Sequence, residues 1–113
     1  MFEKNDKRKL YWLIDQFLIG KINSRTFCKQ YYECYDLELN TDLLTKLEKN
    51  AFSSLSEVVN RFSEFKEDLS KYPRAFFNEE QLFDKVRKTK KLLVVNGMYH
   101  SLTKAAIGMD DSG

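Results

Sequence analysis

The feature that most constrains the fold is a junction between two amphipathic segments at Gly20. The first apolar segment ends at Phe17 and Leu18, and the second starts at Asn23 or Ser24. Glycine readily takes the left-handed conformation that closes a helix C-terminus. Asparagine and serine side chains accept hydrogen bonds from the free N–H groups at the start of a helix. The junction therefore predicts a helical hairpin.

The composition extends this helical interpretation to the whole chain. Its 113 residues are enough for one domain with a hydrophobic core, and they include only four glycines and one proline. Regular alternation of apolar and polar residues, the pattern of a half-buried strand, is nearly absent. We expect an all-α fold: an antiparallel four-helix bundle over residues 1–97, with a long loop between helices 3 and 4. Residues 98–113 are expected to be a tail, partly disordered or one short helix.

Hydrophobic periodicity predicts where the four helices lie. Asn40 or Thr41 is the expected cap of the third helix and Asn78 that of the fourth, which ends at Gly97. Gln81, three residues after Asn78, completes a capping-box pattern. The predicted spans are residues 5 or 6 to 19, 24–35, 42–62 and 78–96.

The same periodicity predicts the buried faces. Glu48 lies at the edge of the apolar stripe of the third helix, and we expect it to pair with a tyrosine hydroxyl or a basic side chain, because an unpaired buried carboxylate is costly. Trp12 lies opposite the stripe of the first helix. An exposed tryptophan there needs a covering partner, which is the C-terminal tail, a second copy or another protein. The predicted stripe of the third helix is Leu44, Leu47, Ala51, Leu55, Val58 and Phe62, and that of the fourth is Leu82, Val86, Thr89 and Leu93.

The residues that commonly carry catalysis or bind metals are few. Cys28 and Cys34 lie six residues apart on the predicted second helix, about 9 Å between Cα atoms, which is too far for a disulfide. Cys34 is expected in the core, and no further partners suggest a zinc site. His100, the only histidine, has no neighbouring nucleophile or carboxylate arrangement. We therefore expect no catalytic residues, no metal and no cofactor.

The sequence also gives an expectation for location. It has no charged-then-apolar leader and no run of about 18 apolar residues. We therefore expect neither export nor membrane insertion, and a cytoplasmic protein.

Charge is distributed unevenly along the chain. Residues 30–68 contain nine acidic and four basic side chains, a balance of −5, whereas the whole chain has a net charge of +2. Such asymmetry predicts that the middle of the chain attracts a cationic partner and repels nucleic acid. The acidic cluster of interest is Glu57, Glu64, Glu67 and Asp68, which spans the end of the third helix and the long loop.

Two other interpretations of the charges stay open. Local pairing would neutralise part of the acidic cluster, for example Glu57 with Arg61 and Glu64 with Lys66. Alternatively, the chain is a small helical nucleic-acid-binding or adaptor protein that uses the basic fourth helix, although that helix lacks interleaved aromatic residues. The basic residues concerned are Arg87, Lys88, Lys90 and Lys91.

A set of residues in a fixed order gives the chain a family resemblance over roughly residues 10–95. The set is Phe17-Leu18 with Gly20-Lys21-Ile22, then Phe27, Tyr31 and Tyr35, then Leu55 and Arg61-Phe62, and last Phe77-Asn78-Glu79-Glu80-Gln81-Leu82 with Val86. In this order and spacing the chain resembles the colicin D immunity family. Members of that family are helical proteins that bind and block the tRNA-cleaving domain of a bacteriocin or of a contact-dependent inhibition toxin.

The resemblance implies a non-catalytic protein whose acidic surface covers the basic active-site cleft of a toxin nuclease domain, where RNA phosphates would lie. Asn60 stands where the family often has an acid, and the net charge is slightly positive. Two other modes therefore stay open: binding beside the active site, or binding through tyrosines more than through charge. The toxin, its tRNA target and the oligomeric state are not indicated. The implied toxin-binding residues are Glu57, Glu64, Glu67 and Asp68, with Tyr72 as an aromatic anchor and Glu33 and Asp36 as further contacts.

Overall fold

A computed structural model gives the fold of residues 5–99, and it is all-α as expected. A π-helix continues the second helix, a 3-10 turn precedes the third, and residues 5–99 contain no strand. This range holds five α-helices where four were predicted, because a short helix lies within the predicted long loop. The α-helices are α1 Arg8–Leu18, α2 Ser24–Tyr32, α3 Lys46–Asn60, α4 Lys66–Lys71 and α5 Glu79–Val95, and the π-helix and 3-10 turn are Glu33–Glu38 and Thr41–Leu43.

The helical hairpin between α1 and α2 is confirmed. Gly20 has a φ of +82°, the left-handed conformation expected after the end of α1. The side chain of Asn23 accepts a hydrogen bond from the backbone N–H of Thr26 at 2.8 Å and so caps α2. The rings of Phe17 and Phe27 stack with their centroids 4.7 Å apart. The hairpin therefore brings the end of α1 against the start of α2.

The predicted start of the third helix is wrong by four residues. Thr45 caps α3: its hydroxyl accepts from Glu48 N at 3.1 Å, and the Glu48 carboxylate accepts from Thr45 N at 2.8 Å. Asn40 instead caps the 3-10 turn, through Asp42 N at 3.0 Å. Leu44 lies between the two elements in an extended conformation and is buried, so the chain cannot continue as one helix from the first cap to the second.

The buried face of α5 is the predicted one: Leu82, Val86, Thr89 and Leu93 are all buried. The predicted face of α3 is only partly right. Ala51 and Leu55 are buried, but so are Phe52 and Val59, which the prediction left out, whereas Leu47, Val58 and Phe62 are half-buried. The buried face of α3 is displaced because this helix contacts α2 as well as α5. Its full set of buried residues is Glu48, Ala51, Phe52, Leu55, Ser56 and Val59.

Predictions from the sequence also cover Cys34 and Trp12. Cys34 is buried, as expected, and neither it nor Cys28 forms a disulfide. Trp12, expected to need a covering partner, is half-buried and packs against the core of its own chain. Its side of α1 therefore faces other parts of the protein and not only solvent.

Packing continues beyond the turn at Gly97, whose φ is +76°. Tyr99 is 4% exposed, and its ring meets that of Tyr11 edge-on at 4.9 Å. Lys90 Nζ lies 5.1 Å from the centroid of the Tyr99 ring. Tyr99 thus joins α5 to α1. The predictions for His100 and for the tail over residues 100–113 lie outside the described residues.

Within residues 5–99, no helix is both long enough and apolar enough to cross a membrane.

Candidate partner-binding site

The segment that joins α3 to α5, residues 63–77, is called the crossover below. Its two ends are tied together: Ser63 N donates to Phe77 O at 2.9 Å, and Phe77 N donates to Arg61 O at 2.8 Å. The buried hydroxyl of Ser63 accepts from Phe65 N at 3.1 Å and donates to Asp68 Oδ2 at 2.8 Å. These bonds fix the position of α4 relative to the end of α3. The crossover is therefore a structured surface element and not an open loop.

An ion pair attaches the crossover to α2. Arg25 Nε donates to Glu64 Oε2 at 2.8 Å, and both side chains are exposed, by 73% and 43%. The Glu64–Lys66 pair left open by the sequence is therefore not formed, because the Glu64 carboxylate pairs with Arg25 instead. The predicted Glu57–Arg61 pair is also absent from the ion pairs of residues 5–99, since Arg61 lies past the last residue of α3.

Two aromatic side chains stand out from the crossover. Phe65 is 62% exposed and Tyr72 is 56% exposed, and the Tyr72 ring contacts that of Phe76 at 6.2 Å between centroids. Tyr72 was predicted as an anchor, but Phe65 was missed. Its signal in the sequence is weak: it is an aromatic residue between the charged residues Glu64 and Lys66, outside any amphipathic stripe.

A shallow cleft of about 290 Å³ lies between the crossover and α2. Its apolar wall is formed by Phe62, Phe65 and Phe76, and it also has Glu64 and Asp68 at its edge. Large exposed aromatic surface next to charged groups is typical of protein-binding sites. This combination makes the crossover the candidate binding site.

The predicted toxin-binding residues divide into two groups. Glu64, Glu67, Asp68 and Tyr72 all lie on the crossover, and Glu57 is exposed one turn before the end of α3. Glu33 and Asp36 lie on the π-helix instead. Asp36 is eleven residues beyond Arg25, about three helical turns along α2 and the π-helix. The structure therefore brings the first group to the crossover and the end of α3, and leaves the second group on the π-helix that follows α2.

The crossover is not strongly acidic as a whole. It contains three acidic and three basic side chains, and Glu64 is paired with Arg25. Among residues 5–99, Glu57 and Glu67 form no ion pair, so their carboxylates are available to an external cation. The exposed aromatic rings are consequently the larger part of what this surface offers a partner.

The basic face of α5 is largely compensated. Arg87 and Lys88 both pair with Asp84, at 2.6 and 3.0 Å, and these two cations lower the pKa of the Asp84 carboxyl. Lys90 pairs with Asp15 at 2.8 Å. Of the four cations in the alternative proposal, only Lys91 lacks an ion pair among the described residues. This face therefore offers nucleic acid less positive charge than the sequence suggests.

The buried carboxylate of Glu48 is paired as predicted. Tyr11 donates a hydrogen bond to Glu48 Oε2 at 2.5 Å, and Lys7 donates to Oε1 at 3.0 Å. Burial disfavours the charged form, but the bonds from Tyr11, Thr45 and Lys7 outweigh it and lower the pKa of Glu48. Burial, with a further contribution from Glu48, raises the pKa of Tyr11 far above its usual range. This site has a structural role at the junction of α1 and α3.

The cysteines are poorly suited to nucleophilic chemistry. Burial raises the pKa of Cys28 to about 12 and that of Cys34 to about 11, so both thiols stay protonated at neutral pH. Over residues 5–99, no three side chains among histidine, cysteine, aspartate and glutamate are grouped so that they could hold a metal ion.

Comparison with family models, with curated proteins and with solved structures finds no match for this chain.

Proposed function

We propose that this chain is an immunity protein that binds and inhibits a cognate tRNA-cleaving toxin domain, of the colicin or contact-dependent inhibition type. In this proposal it has no catalytic activity of its own and acts in the cytoplasm, where the toxin's tRNA substrate is found. Its framework is an antiparallel four-helix bundle of α1, α2, α3 and α5. The observation that carries the proposal is the crossover, which presents Phe65 and Tyr72 to solvent beside acidic side chains.

The framework is supported by contacts that α5 makes with α1 and with α3. Phe17, near the end of α1, meets Phe83 near the start of α5, with ring centroids 5.7 Å apart. On the α3 side, Lys85 donates to Ser54 Oγ at 2.6 Å. A rigid bundle holds the crossover in one geometry before binding, which lowers the entropy cost of association.

The contact chemistry suits a nuclease cleft. Such a cleft is basic because it binds RNA phosphates, so Glu57 and Glu67 would face arginine and lysine side chains there. Carboxylates at the edge of an interface mainly raise the association rate, whereas buried aromatic anchors supply most of the binding free energy. We assign the anchor role to Phe65 and Tyr72. The carboxylates of Glu57, Glu64, Glu67 and Asp68 would steer the toxin and exclude tRNA.

The proposal is tested by isothermal titration of the cognate toxin nuclease domain with the full chain. We expect one tight binding event at a 1:1 ratio, and competition with tRNA for the toxin. The triple variant Glu64→Gln, Glu67→Gln, Asp68→Asn should bind more slowly and less tightly. No heat of binding and no complex on a sizing column would refute the proposed function.

A further inference from the structure

A second cleft lies close to the crossover, and neither the predicted site nor the proposed function uses it. It measures about 470 Å³ and lies where the end of α1 meets the starts of α2 and α5. Phe17, Ile22 and Phe83 form its apolar wall, and Glu79 and Glu80 form its edge. Its volume falls in the range of clefts that bind ligands. We call it the glutamate-edged cleft.

The two glutamates are available to a cation. Ser24 Oγ donates to Glu79 Oε2 at 2.7 Å, which orients that carboxylate and leaves its second oxygen free of bonds from residues 5–99. Glu80 forms neither an ion pair nor a side-chain hydrogen bond with any described residue. Acids in the first turn of α5 are favoured by the helix dipole. That preference does not account for the apolar wall beside them.

The aromatic wall limits which kind of cationic group suits the cleft. Phe83 is 40% exposed, and its ring packs against that of the buried Phe17 at 5.7 Å between centroids. A guanidinium group is flat and weakly hydrated, stacks on aromatic rings and binds carboxylates through two parallel hydrogen bonds. An ammonium group is more strongly hydrated and gains less from an apolar wall. The cleft therefore suits the side chain of arginine.

The cleft also lies beside the crossover. Ser24 of the cleft directly precedes Arg25, which pairs with Glu64, and Phe77 at the end of the crossover is two residues before Glu79. We propose that the glutamate-edged cleft binds an arginine side chain of the protein that docks on the crossover. This inference rests on the proposed function for the identity of that protein, a basic nuclease domain.

The arginine recognition is tested without the toxin. The full chain, labelled with ¹⁵N, is titrated with N-acetylarginine N-methylamide and, as a neutral control of the same shape, with the citrulline compound. We expect amide shifts at Ile22, Glu80 and Phe83 with arginine, and an affinity for citrulline lower by about fivefold, as for one partly exposed ion pair. Glu80→Gln and Phe83→Ala should each weaken arginine binding, whereas Glu38→Gln, which removes a carboxylate outside the cleft, should not.

Several results would overturn the inference. Equal shifts with both compounds would show that charge is not recognised, and shifts spread over every acidic surface would show that there is no site. In the free protein, contacts between Phe83 and residues 100–113, or shifts that change with protein concentration, would assign the cleft to the chain's own terminal segment or to a second copy.

Measurements of toxin binding test this inference separately from the proposed function. If the chain binds the toxin but Glu80→Gln and Phe83→Ala bind it as tightly as the unaltered chain, the inference is wrong and the function stands. If arginine binds in the cleft but the toxin does not bind the chain, the proposed function is wrong and arginine recognition by the cleft stands. We expect about tenfold weaker toxin binding for each variant. The temperature of thermal unfolding should be unchanged for Glu80→Gln and somewhat lower for Phe83→Ala, because the Phe83 ring packs against Phe17, with the fold retained in both.

Discussion

Arg25 of α2 donates to the carboxylate of Glu64 at the start of the crossover, and the two residues are 39 positions apart in the sequence. The pair links the candidate binding surface to the helical framework. It also places a positive charge beside carboxylates that would otherwise be free to attract a basic partner. The pair therefore affects the position of the crossover and its electrostatic potential at the same time.

Replacing Arg25 with glutamine should separate these two effects. Because the pair is exposed, we expect the free energy of unfolding to fall by less than about 1 kcal/mol. Loss of the positive charge should raise the association rate with a basic toxin domain. Lys29→Gln is the matched control, since it removes the same charge from the exposed side of α2 without breaking this pair. Stopped-flow association at low salt measures the difference; an unchanged or lower rate for Arg25→Gln relative to Lys29→Gln would contradict the account.

Phe65 and Tyr72 should be the anchors of the toxin interface. We expect Phe65→Ala and Tyr72→Ala each to weaken toxin binding by about 2 kcal/mol, roughly thirtyfold, because exposed aromatic anchors dominate such interfaces. Stability should change by no more than about 0.5 kcal/mol, since both side chains are mostly exposed. Leu43→Ala is the control, because Leu43 is 52% exposed at a site away from the crossover. Equal affinities for all three variants, measured by calorimetry, would remove the anchors from the proposal.

How much of the structure the sequence predicts depends on how far apart in the chain the interacting residues lie. The hairpin at Gly20 and the inner face of α5 follow from local patterns, and both were predicted. The cap of α2 was predicted as Asn23 or Ser24, and it is Asn23. The start of α3 was missed because Asn40 and Thr45 are both good caps, and burial of Leu44 between them decides which one starts the long helix.

The candidate site depends more on tertiary structure. Arg25 and Glu64 meet only because α2 packs beside the start of the crossover, which no local pattern encodes. Phe65 is exposed because it precedes α4, a six-residue helix with no buried residue. The glutamate-edged cleft forms only where the end of α1 meets the starts of α2 and α5, and Phe83 of α5 is part of its wall. Each of these features lies outside what periodicity can predict.

The buried carboxylate of Glu48 should be important for stability. Glu48→Gln removes the charged acceptor for Tyr11 and Lys7, and we expect a loss of about 1–3 kcal/mol at pH 7, the usual contribution of hydrogen bonds to a charged group. Urea unfolding measures this loss. The control is Glu57→Gln on the exposed face of the same helix, which should change stability by less than about 0.5 kcal/mol. Equal stabilities of the two variants would contradict the assigned role of Glu48.

The stabilising effect of Glu48 should depend on pH. Its folded-state pKa lies below the ordinary value of 4.5, because the hydrogen bonds to its carboxylate outweigh the effect of burial. A carboxyl with a lowered folded-state pKa stabilises the fold above its unfolded-state pKa, and this stabilisation is lost as the pH falls through the folded-state value. The stability difference between the unaltered chain and Glu48→Gln should therefore be constant from pH 7 to about 5 and shrink at more acidic pH. A difference that grows on acidification would show that the folded-state pKa is raised.

Tyr99 should contribute to the core although it follows the turn at Gly97. Tyr99→Ala should lower the free energy of unfolding by about 3–5 kcal/mol, as for other large buried aromatic side chains, because the Tyr99 ring packs against Tyr11 and Lys90. Tyr32→Ala is the control. Because Tyr32 is 45% exposed, this change should lower the free energy of unfolding by less than about 1 kcal/mol. Thermal unfolding followed by circular dichroism distinguishes the two. Similar melting temperatures for both variants would place Tyr99 outside the cooperative core.

The central claim is inhibition of a tRNA-cleaving toxin, and cleavage of total tRNA tests it most directly. The cognate toxin nuclease domain is incubated with total tRNA, alone and with an equimolar amount of this protein. The account predicts that cleavage stops at a 1:1 ratio and returns in part with Phe65→Ala. Full cleavage at a large molar excess of the unaltered chain would contradict it.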